Sequence, residues 1–300
     1  AYPDAYGRAN PELWAYIDEH REPKYKSRWV VAETDGRVVG WRHSWIPMDI
    51  YHPRKFFFML LVDPAYQRRG IGSLLYEQML GQLEPDDPLS LRCMATAESN
   101  ESIRFITKRG YVEDERGFES VLDLRAFDRN RPEFEALEEA VGSAGVVVYR
   151  LPELQKDPNW REKLYQIYIH VEADMPSPEP YTPPPPEEFY AMVFENPHYV
   201  PAATFVAVDG DAYVGVSNLI AGPKGTNEMD TDTTGVHRDY RRRGLATWLK
   251  LQAIDYAQSV GIERIRTWNS DENAAMLGIN RKLGFRMLPA WIGYCKKVGE

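Results

Sequence analysis

Two short basic stretches have the residue types that hold phosphate groups: Gln67-Arg68-Arg69-Gly70-Ile71-Gly72 and Arg241-Arg242-Arg243-Gly244-Leu245-Ala246. Each follows a strand-like run that ends in a valine, and a helical pattern follows each. A strand, a tight turn and a helix present backbone N–H groups and the positive end of a helix dipole to an anion. Arginines add charge-assisted donors, and glycine lets the anion approach the backbone closely. We therefore expect both stretches to bind a diphosphate.

Three other interpretations of these stretches compete. Glycine often begins a helix for packing alone. A nucleotide P-loop requires a Gly-Lys-Ser/Thr sequence, and neither glycine is followed by one. A Rossmann fingerprint requires a third glycine, which both copies lack. The same order of features occurs twice: a valine, a basic triplet, a glycine, a small residue and a helix. This recurrence favours a phosphate-binding turn over the alternatives.

The two stretches belong to an internal repeat. Landmarks that lie 174 residues apart are Val62 and Val236, Gly70 and Gly244, and Gly110 and Gly284. Such a constant offset predicts two copies of one domain, which we assign to residues 1–127 and 128–300 with a bridging helix at about 132–141. By the same offset, the strand that opens the second copy would correspond to a position before residue 1. We therefore predict that the first copy lacks its opening strand.

Hydrophobic periodicity gives the elements that would position the turns. Phe56–Val62 is a continuous apolar run, typical of a buried strand. Apolar residues then recur on one helical face from Ile71 to Leu83. Asp35-Gly36 predicts a tight hairpin turn. Residues 175–186 are rich in proline and favour an extended path; a stiff surface loop, a lid over a site and a ligand for a proline-binding module are the alternatives.

Composition narrows the class of protein. The formal net charge is −9 over 300 residues, which argues against a general nucleic-acid binder. Cys93 and Cys295 have no metal-ligand spacing and form no disulfide framework, and we expect no metal site. No apolar run is long enough to cross a membrane. We expect a soluble cytoplasmic protein without nucleic-acid or membrane partners.

The residues around the turns resemble a known family. Val62-Asp63-Pro64-Ala65-Tyr66 together with Gln67–Gly72 resembles the pyrophosphate-binding motif of the GNAT acyl-CoA N-acetyltransferase superfamily. Residues 100–111 and 273–285 resemble the next motif of that family. The whole chain is similar to bacterial tandem GNAT proteins, of which mycothiol synthase is one.

The resemblance implies a fold and a cofactor. The fold class is α/β, an α+β mixed sheet in each of two tandem domains, with the strand before the turn splayed from the next strand. Acetyl-CoA would bind in that gap, and a small-molecule amine would attack its thioester directly. The pantetheine would pair with the backbone at Leu61-Val62 or Gly235-Val236. The pyrophosphate would lie on the two turns and on the residue that follows each, Ser73 or Thr247, and further cofactor contacts fall on Asn100, Asn269 and Asn273.

At the position of the expected catalytic acid, this chain departs from the family pattern. Many members have a tyrosine, the acid for the departing thiolate, four residues before the glycine that ends the second motif. Here Ile106 and Asn280 occupy those positions. Isoleucine has no proton to give, whereas asparagine can donate a hydrogen bond.

The strand before the first turn has no acid, but its counterpart contains Asp230 and Asp232. Alternation would put both carboxylates on one face of a strand, as candidate bases; in the alternative interpretation they cap a loop or are simply solvated. We therefore predict an N-acetyltransferase whose chemistry lies in the second domain. A regulatory protein that binds acyl-CoA without turnover, or a structural protein that kept the fold, is the alternative. A homodimer is left open.

Overall fold

The computed structural model describes residues 11–143 and 145–299. The predicted absence of an opening strand in the first copy concerns residues 1–10, which lie outside the described residues. Helices of the described chain are α1 (Pro11–Glu19), α2 (Ile71–Leu83), α3 (Asn100–Thr107), α4 (Pro132–Ser143), α5 (Leu151–Leu154), α6 (Trp160–Glu172), α7 (Pro186–Val193), α8 (Leu245–Ser259) and α9 (Ala274–Leu283). Strands are β1 (Arg28–Thr34), β2 (Arg37–Trp45), β3 (Lys55–Val62), β4 (Ser90–Thr96), β5 (Val112–Asp123), β6 (Val147–Arg150), β7 (Tyr199–Asp209), β8 (Ala212–Ala221), β9 (Glu228–Val236), β10 (Arg264–Ser270), β11 (Arg286–Met287) and β12 (Trp291–Lys297).

The chain folds into two compact units. The amino unit comprises Asp18–Gly117, Pro178–Pro183 and the residues from Ala290 onward. The carboxyl unit comprises, among the described residues, those up to Ile17, Phe118–Ser177 and Pro184–Pro289. No helix of the described residues is long and apolar enough to span a bilayer.

The sheet of the amino unit has the order β1, β2, β3, β4, β12 and the first half of β5. Its strands are antiparallel except β3 and β4, which run parallel. A helix follows β3 because a parallel neighbour needs a crossover connection. That helix, α2, buries Leu75, Tyr76, Met79 and Leu83.

The sheet of the carboxyl unit has the order β6, β7, β8, β9, β10 and the second half of β5, with β11 also paired to β5. β9 and β10 are parallel, and the hairpin neighbours are antiparallel. The helix after β9 is α8, which buries eight side chains, seven of them in this unit's hydrophobic core.

In both units the two parallel strands separate after three paired residues. β3 and β4 pair only from Lys55 and Ser90 to Phe57 and Arg92. β9 and β10 pair only from Glu228 and Arg264 to Asp230 and Arg266. Each strand then continues for four or more residues without its parallel neighbour. The splayed sheet expected from the resemblance is therefore present in both units.

An arginine occupies the last paired position of β4 and of β10. Arg92 binds Asp114 and, at 3.1 Å, Glu179. Arg266 donates to Glu119 at 2.9 Å and to Glu228 at 3.1 Å. Arg92 and Arg266 are 174 residues apart, so the repeat places the same charged anchor at the closed end of each gap.

The two copies exchange their corresponding last strands. Gly117 in β5 and Trp291 in β12 are 174 residues apart. The second half of β5 lies in the carboxyl unit, where Leu122 joins the core. β12 lies in the amino unit, where Ile292 and Tyr294 join the core. The first half of β5, which begins at Val112, pairs with β12.

The exchange predicts how the halves behave when separated. We expect residues 1–127 and 128–300 to be poorly folded when each is produced alone, since each half lacks a strand that fills the core of one unit. Co-expressed halves should associate and melt cooperatively. Size-exclusion chromatography and circular dichroism of separate and co-expressed halves make the measurement, with the intact chain as control. A cooperative melt of either half alone would contradict the prediction.

Candidate functional site

The two basic turns have the same backbone geometry. Arg68 and Gly70 have positive φ angles of 62° and 88°, and Arg242 and Gly244 have 61° and 80°. Alternation of left-handed residues in a tight turn directs successive N–H groups to one side and forms a concave anion site. The helices α2 and α8 begin at the next residue, and their dipoles add positive potential there.

Side-chain hydrogen bonds stabilise both turns in the same way. The first residue of each triplet donates to the last carbonyl of the preceding strand: Gln67 Nε2 to Val62 at 3.0 Å and Arg241 Nε to Val236 at 3.1 Å. The third residue donates to a carbonyl four residues earlier: Arg69 to Ala65 at 3.0 Å and Arg243 to Asp239 at 2.9 Å. The middle arginines, Arg68 and Arg242, are exposed. Each turn thus has a fixed backbone and one outward-facing arginine.

The space around the two glycines differs. A Cβ atom on Gly70 would meet nothing within 4 Å, so the turn of the amino unit is open at that point. A Cβ atom on Gly244 would overlap the Leu137 side chain of α4. Glycine at 244 therefore permits close packing of α4 against the start of α8.

Acidic and apolar residues of α6 also contact the second turn and its strand. Asp174, just after α6, pairs with Arg238 and Arg241, and these partners lower its pKa to about 2. Val171 lies against Gly235, where any side chain would overlap it. The sequence pattern did not indicate these contacts. In the amino unit, by contrast, the equivalent strand position is Leu61, which is 46% exposed.

Asn269, Asn273 and Asn280 lie around α9 in the carboxyl unit. Asn273 caps α9 by accepting from the Met276 N–H at 3.1 Å. Asn280 is 2% exposed, and its Nδ2 donates to Asn269 Oδ1 at 2.7 Å. Asn280 Oδ1 has no hydrogen-bond partner among the described residues and lies in a small pocket shared with Ser120. The fold thus joins two of the predicted asparagines beside the splayed part of β10.

Strand β9 carries a bulge at the position of the predicted acids. Ser217 pairs with Thr234 and Leu219 pairs with Thr231, so Asp232 and Thr233 together lie opposite Asn218. Asn218 Nδ2 donates to Asp232 at 3.0 Å, and Asn218 Oδ1 accepts from the Thr233 N–H at 2.9 Å. The buried side-chain amide of Asn218 therefore bonds to both bulge residues, which have no regular ladder partner. Bulges are common beside active sites, where they redirect a side chain.

Asp232 is exposed at the surface of β9, yet the protein packed around its carboxyl group partly desolvates it, and this raises its pKa. The hydrogen bond from Asn218 acts in the opposite direction. The carboxylate influences the nearby phenols of Tyr168 and Tyr199, whose pKa values are raised mainly by burial. A carboxylate with a raised pKa is a candidate for a functional site.

The other acids of β9 have different surroundings. Glu228 is buried and accepts from Arg264 at 2.5 Å and from Arg266 at 3.1 Å, so it belongs to the anchor at the closed end of the gap. Asp230 lies at the last paired position, opposite Arg266 and Ile220. Asp232 alone of these three lies beyond that position, in the splayed part of the strand.

The amino unit lacks this arrangement. β2 and β3 pair without interruption from Gly40 and Val62 to Trp45 and Phe57, with Ser44 opposite Phe58. Ile106 is buried in the apolar core. Near the turn, Arg109 donates to Ser73 at 2.9 Å, and Asn100 begins α3. The amino unit thus has the turn and the gap but no carboxylate in the splayed part of its strand.

Each unit thus combines a splayed mixed sheet with a basic glycine turn at its gap, the arrangement that the family resemblance implies. The profile of the Acetyltransferase (GNAT) family matches residues 1–111 and 162–285. The chain therefore belongs to the GNAT acetyltransferase family, as two tandem copies of its domain, and the predicted family and fold class are confirmed.

Solved structures show the same tandem fold. A tandem GNAT protein from the clavulanic acid biosynthesis pathway has a TM-score of 0.72 and 20% identity, over 98% of this chain and 90% of that one. A GCN5-related N-acetyltransferase from Sphaerobacter thermophilus has a TM-score of 0.69 and 15% identity, over 91% and 82%. A glucosamine N-acetyltransferase region of a fungal multi-domain β-N-acetylglucosaminidase has a TM-score of 0.68 and 16% identity, over 98% of this chain and 36% of that one.

The residues present fit the acyl-CoA that this family uses. Paired left-handed residues at each turn form a concavity of N–H donors, and the strands separate directly before it. The exposed arginines supply charge for phosphate. Both units therefore have residues that fit acyl-CoA. The second turn also has Leu137 and Asp174 as close neighbours.

The pKa of Asp232 predicts a pH-dependent effect on stability. Desolvation raises the folded-state pKa above the unfolded value of about 3.9. The stability that this carboxyl group contributes is therefore fully present below the unfolded pKa and is lost as pH rises through the folded one. Asp232→Asn should raise the melting temperature at pH 7 and change it little near pH 3. Melting temperatures measured between pH 3 and pH 7 test this prediction, and Asp271→Asn, at an exposed position, is the control. Equal changes in melting temperature for both variants at pH 7 would contradict the prediction.

Proposed function

We propose that the carboxyl unit transfers the acetyl group of acetyl-CoA to a small-molecule amine. The observation that carries this proposal is Asp232, a desolvated carboxylate on a bulged strand at the gap expected to bind the thioester. The amino unit has a similar gap with no acid in the splayed part of its strand. Acetyl-CoA supplies the acyl group as an activated thioester.

Asp232 serves as the general base. An ammonium group must lose a proton before its nitrogen can attack a carbonyl carbon, and a carboxylate with a raised pKa accepts that proton more readily than an ordinary aspartate. Its ionised form is required, so activity should rise with pH as the carboxylate deprotonates. Asp230, nearer the closed end of the gap, is the second candidate for this role.

The remaining groups stabilise charge on the reacting atoms. A backbone N–H in the splayed part of β9 polarises the thioester carbonyl. A carbon–nitrogen bond forms and the carbon–sulfur bond breaks, while the amine proton passes to Asp232 and the thiolate takes a proton from water. Asn280 and Asn269 form one hydrogen-bonded pair at 2.7 Å, and their amide donors stabilise the departing sulfur without supplying a proton.

The acceptor is a small amine that carries a positive charge at neutral pH. Asp232 and Glu172 bring negative charge to the splayed part of β9, and the partly exposed Tyr199 adds aromatic surface near Asp232. An ammonium group suits such surroundings by charge and by cation–π attraction. The acceptor in the name of the fungal relative, glucosamine, is an amine of this kind.

The amino unit binds CoA without turnover. Its turn is open at Gly70, its outward-facing Arg68 is exposed, and Ile106 stands where many relatives have an acid. The same features support a second candidate function for the whole chain, a regulatory protein that binds acyl-CoA without consuming it. Release of CoA in the presence of an amine panel separates the two, because only the enzyme consumes acetyl-CoA.

A matched pair of charge reversals tests which turn serves catalysis. Arg242→Glu should raise the KM for acetyl-CoA by about tenfold or more, since a charged donor to phosphate contributes roughly 1.5–3 kcal/mol. Arg68→Glu should leave turnover unchanged, because the two arginines have the same φ and exposure but lie in different units. Steady-state kinetics measures both variants. The reverse pattern would assign catalysis to the amino unit.

Loss of the proposed base should affect the chemical step. Asp232→Asn should lower kcat/KM by about 10²–10⁴-fold, the usual contribution of a general base. CoA affinity, measured by calorimetry, should stay close to that of the natural chain, because the amide preserves the shape of the side chain. Asp230→Asn is the control. A larger loss in Asp230→Asn than in Asp232→Asn would move the base to Asp230.

A further inference from the structure

Asn218 makes two hydrogen bonds that the sequence pattern did not anticipate. It lies in β8 and is fully buried, whereas most strand positions around it are apolar or small. An asparagine in a strand interior is unusual, because its amide must be satisfied away from water. Here both ends of the amide are used, and both partners belong to the bulge of β9.

The two bonds constrain different parts of the bulge. The bond from Nδ2 to Asp232, at 3.0 Å, restricts the rotation of the carboxylate. The bond from the Thr233 N–H to Oδ1, at 2.9 Å, fixes the backbone at the neighbouring residue. On the other side, Thr233 donates its hydroxyl to Glu172 of α6 at 2.8 Å. The bulge is therefore held from β8 and from α6 at once.

We propose that Asn218 is a positioning residue for the acyl transfer: its side-chain amide aims the Asp232 carboxylate into the gap and fixes the bulged backbone beside it. This inference rests on the proposed function of Asp232 as the base. In this role Asn218 acts through Asp232 and Thr233 and not by contact with the reacting groups. A base must lie within hydrogen-bond reach of the proton that it removes, and small displacements are costly.

The repeat provides an internal comparison. In this hairpin the repeat offset is 175, because Gly40 lies opposite Val62 and Gly215 lies opposite Val236, so the counterpart of Asn218 is His43, opposite Met59 in an uninterrupted ladder. There the strand has neither a bulge nor an acid at this level. The carboxyl unit thus has the amide, the bulge and the carboxylate together, and the amino unit has none of the three at the corresponding positions.

The other titratable groups around Asp232 must be considered before any pH effect is assigned. Tyr168 and Glu172 approach from α6, Tyr199 approaches from β7, and Asp230 lies two residues earlier on β9. Burial raises the pKa of both phenols, so they stay neutral across the range in which a carboxylate titrates. Asn218 supplies the hydrogen bond that stabilises the ionised form of Asp232.

The test compares two substitutions of Asn218 with a control on the same strand. Asn218→Ala removes both hydrogen bonds, so kcat/KM should fall by roughly 100-fold and the acidic limb of the pH profile should move to higher pH. Asn218→Asp keeps an acceptor for the Thr233 N–H but brings a second negative charge to Asp232, so it should move that limb further. The control, Ser217→Ala, removes the neighbouring cross-strand bond to Thr234 (2.8 Å) and should leave the limb in place.

The outcomes distinguish this inference from the proposed function. Circular dichroism and melting temperature first establish that each variant is folded. If Asp232→Asn is inactive but Asn218→Ala keeps the natural pH profile, the positioning role is overturned and the base assignment stands. If Ser217→Ala moves the profile as far as Asn218→Ala, the effect belongs to strand stability and the positioning role is again overturned. If Asp232→Asn remains active, the proposed base itself is wrong.

Discussion

The separation of two parallel strands is the constraint on which both gaps depend. Backbone N–H and C=O groups that leave a ladder must find other partners or water, so strands separate only where the surrounding structure holds them apart. In each unit the last paired residue of the second strand is an arginine, Arg92 or Arg266. Arg266 is buried, and losing one partner of a buried ion pair costs about 3–5 kcal/mol. In each unit an arginine held by carboxylates thus marks the closed end of the gap.

The two gaps share this anchor and the turn but differ in what surrounds them. In the carboxyl unit, the end of α6 contacts the strand and the turn through Val171, Glu172 and Asp174. A bulge then places a carboxylate in the splayed part of the strand. In the amino unit, the corresponding strand is regular and apolar, and Leu61 is exposed near its end. One duplicated framework thus supports two different chemical environments.

Much of the fold could be predicted from the sequence because its signals are local. Phe56–Val62 as a buried strand, the helix from Ile71 to Leu83 and the glycine turns all follow from periodicity and from backbone preferences. The splayed sheet and the family followed from a resemblance carried by residues 62–72. The strand exchange could not be predicted in this way, since β5 and β12 have similar patterns and either could pair with either unit. Asn218 was missed for a related reason: its partners lie 14 and 15 residues away across a bulge.

The sequence by itself determined the repeat, the two basic glycine turns and the presence of acids in only one of the two corresponding strands. These are properties of residue type and spacing, and they do not depend on the tertiary structure. The tertiary structure decided how the surroundings of the two acids differ. Asp230 and Asp232 are equivalent candidates in the sequence, but the ladder ends between them and the bulge joins Asp232 to Asn218. Desolvation and hydrogen bonding depend on residues brought together from β8, β9 and α6, and no local pattern encodes that proximity.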